Sequence, residues 1–418
     1  MTCTSRIPPE LWRKIFELAT YTPGLLNCSP SRSDLPSAIA AQQEVRLLVE
    51  SLATKRSLVQ VCKTWDILAT EFLYQSVLIT RVETLPALLR ALKRRSQLSG
   101  ASRARPGWWT KRLDVLLTDN SCEATDYTLL ADVIRHFSNL SIVTLSIPIR
   151  PLSGSSSRQL PIEIITSLAE TCGPSLRSFD CSDSAIRPCR EDLMVLLTAC
   201  PNLRVLRCPK CSPTPGNRSP RSRMDVPIME KLESISLMSV FLRDYLPRDK
   251  HANCLPALRQ LTYDCIPPPF FDHAWRSFVK LSCSAITSVT LDFCLQPGDA
   301  LQDEFDLLAE CCPALDKLII YFHSWLDFVK FLVLPPSISH LCIHSKLQKP
   351  ASFHYGSLVV ALVTLTAPEL KSIRILHSSA VKEFRKSLEP LLVGDIVGLA
   401  SRRFRVQDEE DSILCTAI

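Results

Sequence analysis

Glycine is scarce in this chain, with ten residues in 418. None falls in a Gly-x-Gly-x-x-Gly pattern, and the apolar segments are short, which together count against a doubly wound sheet built around a dinucleotide. No run of 18 uncharged apolar residues occurs, so neither a spanning helix nor a membrane partner is expected. The opening Met1-Thr2-Cys3-Thr4-Ser5-Arg6 leads into Ile7-Pro8-Pro9 without an apolar signal stretch, and the expected setting is cytoplasmic, nuclear or both. Gly-x-Ser-x-Gly, His-Glu-x-x-His, P-loop and doubled Cys-x-x-Cys arrangements are missing. The eight histidines form no recognisable triad beside a nucleophile. The expectation is a protein that is not an enzyme and needs no cofactor.

What is present is ordinary globular material, 46% hydrophobic and 22% charged, in a length that suits two domains or a repeat array. Eighteen cysteines are spread over the whole chain, several just before a proline or inside apolar segments. They read as reduced, buried, hydrophobe-like thiols, not as a disulfide framework. Cys208-Pro209-Lys210-Cys211 has zinc-like spacing but no second ligand pair at a recognisable distance, and no metal is expected. The formal charge of +6 is local: Arg90, Lys93, Arg94, Arg95, Arg103, Arg105, Lys111 and Arg112 contribute eight positive charges with no acid among them. Six minus eight leaves the rest of the chain at −2. Arg218, Arg221 and Arg223 form a second basic cluster in a Pro/Ser-rich stretch. Both read as solvated surface, and nucleic acid is not the expected partner.

The N-terminal segment reads as helices. Pro8 and Pro9 suit a helix entry, where the missing N–H would have no partner. Leu11, Ile15, Leu18 and Ala19 recur at helical spacing, with Phe16 widening the stripe. A break over Tyr21–Ser37 precedes a helical stretch at about 38–53. Leu58, Val61, Cys62, Trp65, Leu68, Ala69, Phe72 and Leu73 then fit one continuous helical face.

These residues carry a resemblance. Ile7-Pro8-Pro9-Glu10-Leu11-Trp12-Arg13-Lys14-Ile15-Phe16-Glu17-Leu18 resembles the first helix of an F-box, Leu-Pro-x-Glu-Leu-x-x-x-Ile-Phe-x-x-Leu. Leu58-Val59-Gln60-Val61-Cys62-Lys63-Thr64-Trp65 resembles its second signature, Leu-x-x-Val-Cys-[Lys/Arg]-x-Trp. The signatures stand farther apart than is usual, so 21–54 looks like an insertion of the kind many fungal F-box proteins carry. The resemblance implies a three-helix module over 1–80 that docks a Skp-type adaptor and, through it, a cullin. Ile7, Pro8, Leu11, Ile15, Phe16, Leu58, Val61, Cys62 and Trp65 would form its packing and docking surfaces.

The rest of the chain repeats a weak unit, Φ-x-x-Φ-x-Φ, where Φ is apolar or cysteine. It begins at Leu140, Leu176, Leu203, Leu232, Leu258, Ile286, Leu315, Ile338 and Leu370, with weaker copies at Tyr74 and Thr110. From Leu140 the intervals are 36, 27, 29, 26, 28, 29, 23 and 32 residues, centred at the long end of leucine-rich repeats. Helix-like stretches at 126–137, 160–171, 191–199, 270–281, 301–311 and 357–365 alternate with these strands, and many end in a turn carrying proline. Several copies resemble the F-box-associated leucine-rich repeat. The predicted fold class is therefore α/β: an F-box-like three-helix module, a leucine-rich-repeat-like solenoid over 81–400, and a flexible tail over 401–418.

Strand alternation predicts which side chains face a partner. If the later Φ positions point into the core, the flanking residues line the opposite face. They include Arg112, Asp114, Asp180, Arg207, Asp264, Asp292, Lys317, Tyr321, His340, His344 and Arg374. His340, Cys342 and His344 share one face, but at about 6.5–7 Å per pair they are too widely spaced to hold one ion. The functional expectation is the substrate-recognition subunit of a cullin–RING ubiquitin ligase, its repeats holding an unidentified protein target. The alternative is an interaction scaffold unconnected with ubiquitin.

Overall fold

The computed structural model describes residues 7–27, 37–98, 106–118, 122–148, 159–209, 211–212, 227–238, 253–264, 272–293, 301–345, 352–376, 398, 402–408 and 412–414. The chain divides into two compact units, one of residues 1–30 and 38–231 and the other of 31–37 and 232–418. The first unit contains α1 (Pro9–Thr20), α2 (Ser37–Gln60) and α3 (Lys63–Tyr74), then β1 (Ser76–Ile79), α4 (Leu85–Leu98), β2 (Arg112–Leu116) and α5 (Ala124–Ile134). It ends with β3 (Ile142–Ser146), α6 (Ile162–Cys172), β4 (Ser178–Asp180), α7 (Arg190–Ala199) and β5 (Val205–Arg207). Strands β1 to β5 pair in sequence order, and every pairing is parallel.

The second unit holds β6 (Ser234–Met238), β7 (Gln260–Asp264), α8 (Asp272–Ser282), β8 (Ser288–Asp292), α9 (Leu301–Cys311) and β9 (Lys317–Phe322). It continues with β10 (His340–Ser345), α10 (Ser352–Thr364), β11 (Ser372–Ile375) and β12 (Arg405–Gln407). These strands too pair in order and in parallel. The architecture is thus a mixed α/β one, with a strand where each apolar triplet falls and a helix within each stretch of helical periodicity. β12 carries the ladder past residue 400, into the segment expected to be a tail, and Gln407 bridges back to Ile413.

Each triplet is built the same way. From Leu140 on, the first apolar residue lies just before the strand, the second lies in it, and the third follows two residues later, within the strand or, for β4 and β5, just past its end. Leu140, Val143 and Leu145 are buried, as are Leu203, Leu206 and Cys208, and Leu315, Leu318 and Ile320. The cysteines at the helix ends join this core. Cys172 and Cys200 end consecutive helices, and burial pushes both thiols up to about 12, leaving them protonated and unreactive. Gly173 admits no side chain: an added Cβ would lie 2.5 Å from the carbonyl oxygens of both Ala169 and Ala199. In the second unit Trp275 stacks on Tyr263 with ring centroids 3.8 Å apart and donates its indole N–H to Glu304.

The helical N-terminus departs from expectation at one point. The face drawn through 58–73 is broken: α2 ends at Gln60, and Cys62 adopts an extended conformation (φ −163°, ψ 169°) before α3 begins. Spacing survives the break because both sides address one core, in which Leu58 and Val59 pack with Trp65 and Leu68 against Phe16, Ala69 and Phe72. Periodicity reports which residues share a core and is blind to a turn between them. The segment expected as an insertion carries most of α2, whose Leu48 and Leu52 pack with Leu25 and Leu78.

A buried ion cluster joins this helical region to the first strands. Arg112, expected on an open face, is 2% exposed, and Asp114 is fully buried. Arg112 Nε and Nη2 donate to Asp114 at 2.6 and 2.8 Å, and Nη1 donates to the Leu25 carbonyl at 3.0 Å and to Glu44. Burial opposes the Arg112 charge, but the hydrogen bonds and charges of Asp114 and Glu44 more than offset it and hold the guanidinium above its ordinary range. Arg112 and Asp114 lie on the face that strand alternation predicts, but the Leu25 loop and α2 cover this end of it. A boundary at residue 80 would fall inside the first unit, cutting between β1 and its partner β2.

Two outcomes follow from the buried charges. Asp114→Ala removes the buried counter-charge and two hydrogen bonds of Arg112 and should destabilise the chain by about 3–5 kcal/mol in urea unfolding; Glu44→Gln, at a 42% exposed side chain, should cost at most about 1 kcal/mol. Burial lowers the Lys55 amine to about 8. Between that value and the ordinary lysine range the unfolded chain binds the extra proton, so stability from this group rises with pH there. Lys55→Met should therefore stabilise the chain at pH 7, by on the order of 2 kcal/mol. The gain should shrink in melts recorded from pH 8 to 10.

Candidate docking surfaces

Helix α1 has two apolar faces. Trp12, Phe16 and Thr20, spaced by four, turn inward. Phe16 is fully buried and meets Trp65 edge-on at 4.8 Å, and Trp12 lies 4.8 Å from Trp65. Arg13 closes this contact from outside by forking onto Glu71 of α3, with Nε to Oε1 at 2.8 Å. Both indole nitrogens are buried without an acceptor. Such donors cost stability, and three helices of this length make only a small core.

The other face is bare. Leu11 is 55% exposed, Ile15 45% and Leu18 66%, and Ile7 just ahead of the helix is also exposed. At about 100° per residue, offsets of 0, 4 and 7 place Leu11, Ile15 and Leu18 in one narrow stripe. Pro8 is exposed at the N-cap. The residues named from the two motifs therefore separate by role. Phe16, Leu58 and Trp65 hold the helices together, Cys62 is half-buried at the turn, and Ile7, Pro8, Leu11, Ile15 and Val61 face outward. Leu18 and Ile67 are exposed as well and were missed as site residues. Leu18 was detectable as the next step of the Leu11–Ile15 stripe, and Ile67 as an apolar residue opposite the helical face drawn through 58–73.

The sheet faces turned away from the helices carry polar ladders. In the first unit Arg207 of β5 lies 3.2 Å from Asp180 of β4, and Asp180 accepts from the Ser182 amide and hydroxyl. Burial and the Asp180 charge raise the neighbouring Asp183 carboxyl. In the second unit the register aligns Lys317, His340, Ser372 and Arg405 across β9 to β12 in one row. The next row holds Ile319, Cys342, Arg374 and Gln407, and a third holds Asp292, Tyr321 and His344. His340 Nδ1 meets Ser372 Oγ at 2.8 Å, and His344 Nδ1 donates to the Leu376 carbonyl at 3.0 Å. Asp264 is placed by its backbone in β7, its side chain lying outside what is described.

Not every ladder residue is accessible. Tyr321 is buried with Ile319, Cys342 and Leu376 in an apolar cluster on this face, and His344 packs edge-on against its ring. Tyr321 therefore belongs to the sheet's own packing and is not a contact surface. Lys317, His340, His344, Arg374 and Asp292 are half-buried, and Arg405 is exposed. Among the described residues no group of three or more potential ligands is arranged to hold a metal ion. Among them, too, no helix is long and apolar enough to cross a membrane. Arg90, Lys93, Arg94 and Lys111 of the basic segment are exposed, but Arg103, Arg105, Arg218, Arg221 and Arg223 lie outside the described residues.

No family model matches the chain, and no curated protein matches it. Among solved structures, the leucine-rich repeat-containing protein LegL7 from Legionella pneumophila aligns at 14% identity with a TM-score of 0.34, over 67% of this chain and 88% of that one.

The two faces of α1 should respond differently to truncation. Phe16→Ala should cost about 3–5 kcal/mol in thermal or urea melts. Leu11→Ser and Ile15→Ser should stay within about 0.5 kcal/mol of the parent, because neither side chain is packed in the chain itself.

Proposed function

We propose that this protein is the substrate-recognition subunit of a cullin–RING ubiquitin ligase. In this reading the N-terminal helices are an F-box-like module that docks a Skp-type adaptor, and the repeats are a degenerate leucine-rich-repeat array that holds a protein target. The observation that carries the reading is the double-faced α1 helix. Its inner residues complete a small core with Trp65, and its outer residues form an apolar stripe that the chain leaves uncovered. Contiguous exposed apolar residues on a folded module mark a surface for a partner. The agreement of both motif signatures with the F-box pattern names the partner class. The half-buried polar ladders of the parallel sheets offer a separate, broad surface of the kind repeat proteins use to bind proteins.

The proposed chemistry is recruitment. The chain contributes no reacting group, and the ligase gains rate because target and ubiquitin-loaded enzyme share one assembly at high effective concentration. A compartment containing the adaptor, cytoplasmic or nuclear, follows from the same reading. Affinity purification of the full chain from cells should recover a Skp-type adaptor together with a cullin. Leu11→Asp with Ile15→Asp should abolish that capture while leaving the melting temperature within a few degrees of the parent. Recovery of the adaptor without a cullin would instead identify an interaction scaffold, and failure to recover the adaptor would end the F-box reading.

A further inference from the structure

The second unit's sheet face is electrically lopsided. Lys317, His340 and Arg405 lie in one row across β9, β10 and β12, and Arg374 occupies the adjoining row on β11. With strands about 4.8 Å apart, the row from Lys317 to Arg405 spans roughly 14 Å. The described acids aligned with these rows, Asp292 and Asp264, stand on β8 and β7, beyond Lys317 and in the third row. Between the charged heads the face is closed by the buried side chains of Ile319, Tyr321 and Cys342. Among the described residues, what the face presents over β9–β12 is therefore cationic and polar.

We infer that this face binds an extended protein segment bearing several carboxylates, seated across β9 to β12 on Lys317, His340, Arg374 and Arg405. The inference rests on reading the repeat face as the target surface, and it adds the chemistry of the target. An extended segment advances about 6.5–7 Å every two residues. Acids at alternate positions along some five residues thus match the cationic span. Burial holds the Lys317 ammonium below its ordinary range, and the nearby Arg374 charge pushes in the same direction. A carboxylate seated here relieves both effects, which a neutral segment does not. A nucleic-acid strand fits less well, because its unbroken charge would run onto Asp292, whereas a peptide can place its acids over the cationic half alone.

The test is fluorescence anisotropy of the full chain with a labelled dodecapeptide of alternating glutamate and serine. Its glutamine–serine counterpart and a single-stranded oligodeoxythymidine serve as competing probes. The acidic peptide should bind, weaken as salt rises, and lose about tenfold in affinity with Lys317→Gln plus Arg405→Gln. Arg405→Glu, at an exposed position, should weaken binding without altering the melt, and it decides the matter if the double variant misfolds. Arg90→Gln with Lys93→Gln and Arg94→Gln, on α4 of the other unit, should leave binding unchanged. The inference is overturned if the acidic peptide does not bind or the neutral peptide binds equally. It also fails if the oligonucleotide binds more tightly than the acidic peptide, or if the α4 variant rather than the sheet variants loses affinity. Because no adaptor is present in this assay, its result is independent of whether the F-box reading holds.

Discussion

A strand of three to six residues followed by a single helix cannot bury its own apolar side, and this constraint organises both units. Burial is completed only when the next strand pairs in parallel and presents the same triplet one step along the ladder. The buried triplet therefore recurs along the ladder, as with Leu176, Phe179 and Cys181 or Ile286, Val289 and Leu291. The sequence between strands is free to vary so long as a helix can close over them. This is why the units tolerate intervals from 23 to 36 residues without losing register.

The same ladder explains the Arg112 cluster. Strands in such an array meet edge to edge, so neither neighbour of β2 covers the face on which Arg112 and Asp114 lie. Here the covering is supplied by the Leu25 loop and by α2, and the charges drawn inside must be matched. Arg112 meets that need with donors to Asp114, Glu44 and a backbone carbonyl. A buried pair of this kind fixes geometry more than it adds stability, since its desolvation consumes much of the attraction. Its consequence is that the N-terminal helices belong to one compact unit with β1 and β2.

The α1 stripe and the sheet faces differ in kind. The α1 stripe is apolar and narrow and stands on a helix whose inner face is already committed to Trp65 and Phe16. The sheet faces are polar, and their charges are partly spent on each other, as Asp180 and Arg207 show. Over β9–β12 the balance is cationic, with the apolar ladder positions withdrawn into a cluster of their own.

The sequence alone determined the repeating elements, because short-range periodicity is a local property: the triplets mark the strands, the helical stretches mark α5 to α10, and proline turns separate them. It also placed Leu58, Trp65, Phe16 and Phe72, all members of the N-terminal core, among the apolar residues at helical spacing. Tertiary structure alone decided which apolar residues would be left outside. Phe16 and Ile15 are adjacent and equally apolar, yet one is buried and the other bare, because only the helix packed opposite distinguishes them. It decided likewise that α2 stops at Gln60, that Arg112 and Asp114 are buried, and that Tyr321 packs inward while Lys317 on the same strand face stays half-open. Alternation assigns a side chain to a face, but whether another part of the chain covers that face depends on contacts between residues far apart in sequence, such as Leu25 and Arg112.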